Sequence, residues 1–86
     1  MKIKDGFILR QVAGNAVVIS VGALNFDGII KLNDSGVLIW KLLEKGATKA
    51  EILSAFLEEY DVSKEQANED IEIFLNRLHS AKLIDE

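Results

Sequence analysis

The chain contains no cysteine, and that absence removes disulfides, thiolate metal sites and cysteine nucleophiles together. It also suits a reducing compartment, because a secreted domain this small often needs covalent staples. Long apolar stretches are missing. The run from Val37 to Trp40 stops at Lys41, far short of the roughly 20 residues that span a bilayer. The opening Met1-Lys2-Ile3-Lys4-Asp5-Gly6 lacks the apolar stretch and small-residue cleavage pattern of a signal peptide. The expected compartment is therefore the cytoplasm, without membrane contact. Positive charge is also in short supply. Fourteen acidic residues face ten basic ones, for a formal net charge of −4, whereas a nucleic-acid binder usually shows a basic face.

Reactive chemistry is scarce too. No Gly-rich phosphate loop, His-Glu-x-x-His pair or nucleophile elbow occurs. The one histidine, His79, lies off the apolar stripe of its expected helix, near Arg77 and Lys82. There it reads as a surface residue complementing the C-terminal helix dipole. A metal site would need partners that the sequence does not offer. Glu58-Glu59, Glu69-Asp70 and Glu72 fall on polar helix faces or in first turns. Acid–base catalysis needs carboxylates converging in a cleft instead. The expectation is a non-enzyme with no cofactor and no metal.

What is present is ordinary globular composition, 49% hydrophobic and 28% charged over 86 residues, enough for one compact domain covering residues 1–86. The first third is rich in Val, Ile and Gly, and the rest in Leu, Glu and Lys, which reads as an α+β domain with strands first and helices second. Strands are expected over 7–12 and 16–21, joined as a hairpin through Ala13-Gly14-Asn15. Residues 22–28 form a loop closing on the turn signal Asp27-Gly28, and a short third strand covers 28–32.

Three helices follow, over 34–45, 49–60 and 64–82. Asn33 caps the first, with Leu32 and Val37 flanking it as a hydrophobic staple, and Gly46 supplies the left-handed stop. Thr48 with Glu51, and Ser63 with Gln66, make capping boxes for the other two. Helix one is apolar nearly all round, with Lys41, Glu44 and Lys45 as its polar strip, so it belongs at the centre. Trp40 within it reads as core. Helix two is expected to bury Ile52, Leu53, Phe56, Leu57 and Tyr60. Helix three is expected to bury Ala67, Ile71, Phe74, Leu75 and Leu78, with Leu83-Ile84 folding back onto the core.

Helix three carries a second stripe, displaced from its core stripe: Gln66, Asp70, Ile73, Arg77 and Ala81, bordered by Phe74. These recur at three- and four-residue steps and so line one side of the helix. Ile73 stands nearly opposite the core centre, where an apolar residue has no folding role, although single exposed apolar residues are common. Asp70 and Arg77 could grip charged groups or serve as plain surface charges.

The segment Leu32-Asn33-Asp34-Ser35-Gly36-Val37-Leu38-Ile39-Trp40-Lys41-Leu42-Leu43 resembles the Leu-Asn-x-(Ser/Thr)-(Gly/Ala)-x-x-Ile-Trp-x-Leu-Leu stretch of PqqD-like proteins. The likeness continues through Gly46, Thr48, Tyr60-Asp61-Val62, Ala67, Asp70-Ile71, Phe74-Leu75, Leu78 and Leu83, and includes the opening hairpin. It implies a winged helix-turn-helix-like fold, a three-stranded antiparallel sheet followed by three helices. It also implies a function. PqqD-like RiPP recognition elements bind the leader segment of a ribosomally made precursor peptide without catalysis. They deliver it to a modifying enzyme, often a radical S-adenosylmethionine enzyme, as in pyrroloquinoline quinone biosynthesis.

The family analogy makes the third strand the docking edge, here Ile29, Ile30, Lys31 and Leu32, with a groove between that strand and helix three lined by Gln66, Asp70, Ile73, Phe74 and Arg77. An extended peptide gains main-chain hydrogen bonds on such an edge whatever its sequence. On the plain alternative, Ile29 and Ile30 pack inward, since strand faces alternate.

Two rival readings carry their own tests. A winged-helix DNA-binding regulator would push a helix into the major groove, but the start of helix three carries Glu65, Glu69, Asp70 and Glu72 against Lys64, and helix two offers no arginine. A structural subunit dimerising through the strand edge is the other, so the expected state is a monomer or weak homodimer.

Overall fold

A computed structural model describes residues 1–20 and 30–85 of the chain. Its elements run β1 (Lys2–Ile3), β2 (Phe7–Val12), β3 (Asn15–Ser20), β4 (Ile30–Leu32), α1 (Asp34–Lys45), α2 (Lys49–Glu59), α3 (Lys64–Ser80) and β5 (Ile84–Asp85). The α+β class stands: β2, β3 and β4 form a three-stranded antiparallel sheet in that spatial order, and three helices follow. The expected loop 22–28, the last residue of the second expected strand (Val21) and the first two of the third (Gly28, Ile29) lie outside the described residues.

The hairpin is tighter than the sequence suggests. Val12 pairs with Asn15, so Ala13 and Gly14 alone make the turn, and Asn15 belongs to β3. Both turn residues have positive φ, 52° and 81°, as a type I′ turn requires. Such a turn matches the right-handed twist of the strands it joins. Glycine adopts this geometry freely; Ala13 carries a Cβ into it.

Pairing of β3 with β4 sets Ala16 against Leu32, Val17 against Lys31 and Val18 against Ile30. Side chains alternate, so Ala16, Val18, Ile30 and Leu32 share the face towards the helices. Val18 and Leu32 are buried, Ile30 packs against the core and Lys31 points to solvent.

That core surrounds α1, as its composition predicts. Ile39, Trp40 and Leu43 are fully enclosed, together with Val18, Ile52, Ile71, Leu78 and Leu83. The Trp40 indole N–H is buried without an acceptor among the described residues. Helix α2 presents a narrower apolar face than expected: Ile52 and Phe56 are buried, whereas Leu57 is 36% exposed. Being one step round from Phe56, Leu57 turns away from the helix pair that covers its neighbours.

Helix ends follow local chemistry. The Asn33 carboxamide oxygen accepts from the Gly36 N–H at 2.9 Å and from the Ser35 hydroxyl at 3.0 Å. Thr48 and Glu51 form the full reciprocal box, at 3.1 and 2.8 Å. These bonds favour the ionised carboxylate and hold the Glu51 pKa below its ordinary 4.5. The third box is only half made. The Ser63 hydroxyl accepts from the Gln66 N–H, but the Gln66 side chain donates forward to Asp70 Oδ1 at 3.0 Å.

Helix α3 stops at Ser80, two residues earlier than expected. Lys82 turns left-handed at φ 61°, its N–H donates to the His79 carbonyl, and the Leu83 N–H donates to the Leu78 carbonyl. This is a Schellman closure with lysine where glycine is usual. It reverses the chain so that Leu83 and Ile84 fold back, and β5 pairs with β1 through Ile3 opposite Ile84 and Lys2 opposite Asp85. His79 in that last turn is half-buried rather than fully exposed.

Candidate functional site

Among the described residues, strand β4 has a partner on one side only. It bonds to β3, and no described strand lies along its other edge. The chain then passes straight into α1 through Asn33, so the first turn of α1 stands at the end of this open edge. Opposite, α3 presents its second stripe. Between them lies a groove of about 500 Å³.

Each wall has a clear origin. Lys31 and Leu32 come from β4, Asn33 and Ser35 from the cap of α1, and Asp70, Ile73, Phe74 and Arg77 from α3. Asn33 and Asp70 also meet in a neighbouring hollow, so the cap of α1 lies near the Asp70 part of α3. Leu32 and half-buried Phe74 form an apolar floor, while Ile73 stands 61% exposed on the wall. Gly36 lets these elements come this close. A Cβ on it would lie 3.1 Å from the Phe74 ring and 3.2 Å from the Asn33 side-chain oxygen, tight enough to force the ring to shift.

The groove holds charges of both signs. Lys31 and Arg77 have no ion-pair partner among the described residues. Asp70 accepts from Gln66, which fixes the orientation of its carboxylate. Elsewhere on α3, Glu72 pairs with Lys49 of α2, a surface contact tying the two helices together.

Of the residues singled out from the sequence, Lys31, Leu32, Asp70, Ile73, Phe74 and Arg77 meet in this groove. Gln66 does not line it but touches it through Asp70. Ile30 turns its side chain towards the core, as the inward-packing alternative has it, because it shares a strand face with buried Leu32. What Ile30 offers at the open edge is backbone. Ile29 lies outside the described residues. Phe74 serves both core and groove. Asn33 and Ser35 were read only as capping and family-pattern residues. The signal that would have placed them here is the absence of any linker between the third strand and the first helix.

No group of three or more His, Cys, Asp or Glu side chains among the described residues is arranged to hold a metal ion. No helix among them is long and apolar enough to cross a membrane.

Comparison with known proteins places this architecture. No curated protein matches the chain. Two solved structures share its fold. TbiB1, solved in complex with the TbiA(beta) leader peptide, is 28% identical, with a TM-score of 0.81 over 99% of this chain and 95% of that one. A lasso peptide synthetase B1, complexed with the leader peptide, is 22% identical, with a TM-score of 0.74 over 92% of this chain and 89% of that one. At that identity the second likeness speaks for the fold. The family model for coenzyme PQQ synthesis protein D matches residues 8–84, from the first strand of the hairpin to the returning C-terminal strand, and the chain belongs to the PqqD family.

Proposed function

We propose that this chain is a non-catalytic domain that binds the leader segment of a ribosomally synthesised precursor peptide and presents it to a separate modifying enzyme. The peptide adds as a strand to the open edge of β4 and seats side chains in the groove beside α3. One observation carries the reading: an unpaired strand edge lies directly beside an apolar-floored groove, in a fold that TbiB1 uses while holding a leader peptide. Backbone pairing supplies sequence-independent affinity, and the groove supplies selectivity. A leader that is disordered when free loses about 2–5 kcal/mol to ordering, which sets the isolated domain's affinity near the micromolar range, about −8 kcal/mol. The enzyme served is a separate polypeptide, with a radical S-adenosylmethionine enzyme the first to test. Residence on or beside that enzyme raises the effective concentration of bound leader.

Duplex DNA is disfavoured by the row Glu65, Glu69, Asp70 and Glu72 on α3, whose charges oppose phosphate. Titration of leader peptides, beginning with TbiA(beta), into isotopically labelled protein tests the proposal. Amide shifts should concentrate in residues 28–32 and 66–81. Shifts centred elsewhere, or a salt-sensitive complex with random duplex DNA in place of peptide binding, would sink it.

A further inference from the structure

The groove does not end where β4 ends. It shares Asn33, Ser35 and Asp70 with a second hollow of about 340 Å³, set between the first turn of α1 and the end of α2. Its other walls are Asp34, Phe56, Tyr60 and Val62. Phe56 and Tyr60 pack ring against ring, with centroids 4.9 Å apart, giving it an apolar side.

Two features mark it as more than a dent. Large apolar side chains are exposed at four described positions, Val12, Leu57, Val62 and Ile73. Two of these stand one in each of the joined hollows: Ile73 in the groove, Val62 (38% exposed) in the second. Neither residue is needed to close the core. The charges are also sorted. The groove is lined by Lys31 and Arg77 as well as Asp70, while the second hollow carries Asp34 and Asp70 and no basic side chain. Burial, with Asp34 and Glu59 nearby, pushes the Tyr60 hydroxyl pKa above its ordinary value.

We infer that the peptide's footprint runs on past the end of β4 into this second hollow, so that the ligand is a segment with an acidic residue at one end, apolar residues at its middle, and an apolar residue beside a basic one at the other. This rests on the proposed peptide-binding role and deepens it. Strand pairing can hold the segment opposite Ile30 to Leu32, but there β4 turns into a helix and offers no further ladder. Beyond that point only side-chain contacts can hold the peptide. The joined hollow supplies an apolar surface for one large side chain and two carboxylates for a neighbouring cation. The charge sorting also sets direction, because a peptide inserted backwards would bring acid to Asp34 and Asp70, and like-charge contacts of that kind select against the wrong register.

The probe is a displayed library of random linear peptides selected for binding to the whole chain. Enriched peptides should carry the acidic–apolar–basic order. Their affinity should fall about tenfold or more with Ile73→Glu and again with Val62→Lys, the size of loss typical of an anchoring contact. Both positions are exposed, and unfolding midpoints should match the parent; Val62→Ser replaces Val62→Lys if the lysine disturbs the loop. Binders that lose affinity with Ile73→Glu but not with either Val62 variant overturn the second hollow and leave the groove standing. Binders sensitive only at Val62 break the continuous path. Binders indifferent to all three variants, or no binders at all, defeat both readings.

Discussion

Ile73 offers the sharpest test of the groove, because its two faces make opposite demands. Its side chain is 61% exposed in the free protein, so folding gains little from it. Full burial of an isoleucine is worth about 1.5–3 kcal/mol, and a ligand covering the exposed share recovers about 1–2 kcal/mol. Ile73→Ala keeps the Cβ and should weaken leader binding by about 1 kcal/mol, roughly fivefold in Kd. Ile73→Glu should cost more, because its carboxylate stands one turn from Asp70 and must be stripped of water to admit the peptide. Stability should change by no more than about 0.5 kcal/mol in either variant, since both alanine and glutamate suit a helix surface better than isoleucine. Fluorescence anisotropy of a labelled leader gives Kd, and urea unfolding gives stability. If Ile73→Ala unfolds the protein, Ile73 belongs to the core and the second stripe has been misread. If neither variant alters Kd, the peptide does not lie against α3.

Lys82→Gly should raise stability by about 0.5–1 kcal/mol in urea unfolding, because the left-handed closing residue loses its Cβ strain; a fall in stability would show the lysine side chain holding the helix end. Gly36→Ala should weaken leader binding measurably by anisotropy, since its Cβ at 3.1 Å pushes the Phe74 ring into the groove; unchanged Kd would mean the ring escapes towards the core. Glu51 contributes stability through its ionised form, with a folded-state pKa below 4.5. That contribution is present above the unfolded value and is lost as pH falls through the folded one. Stability of Glu51→Gln should therefore fall less steeply than the parent's below pH 4.5; parallel acid limbs would dismiss the capping-box carboxylate as a source of acid sensitivity.

Local chemistry made much of this protein legible in its chain. Asn33, Thr48 and Ser63 cap the helices they precede, because a short polar side chain satisfies backbone N–H groups within its own turn. The helical periodicity likewise told Ile71 from Ile73, since the element's geometry decides which side chains share a face. Where an outcome depended on distant residues, local pattern said less: it gave the fold-back of Leu83-Ile84 but not the strands that result, and the groove came only with the family resemblance. Strands β1 and β5 are two residues each, too short for any period, and exist because the Schellman turn at Lys82 brings the two ends of the chain together. Leu57 and Phe56 are equally apolar, and only the packing of α2 against its neighbours sends one in and the other out. The groove belongs to this second class. Its strand edge, its capping residues and its helix stripe could each be named from the sequence, but their meeting depends on how closely α1 approaches Phe74 over Gly36. That distance is set by packing between elements remote in sequence, and no local propensity encodes it.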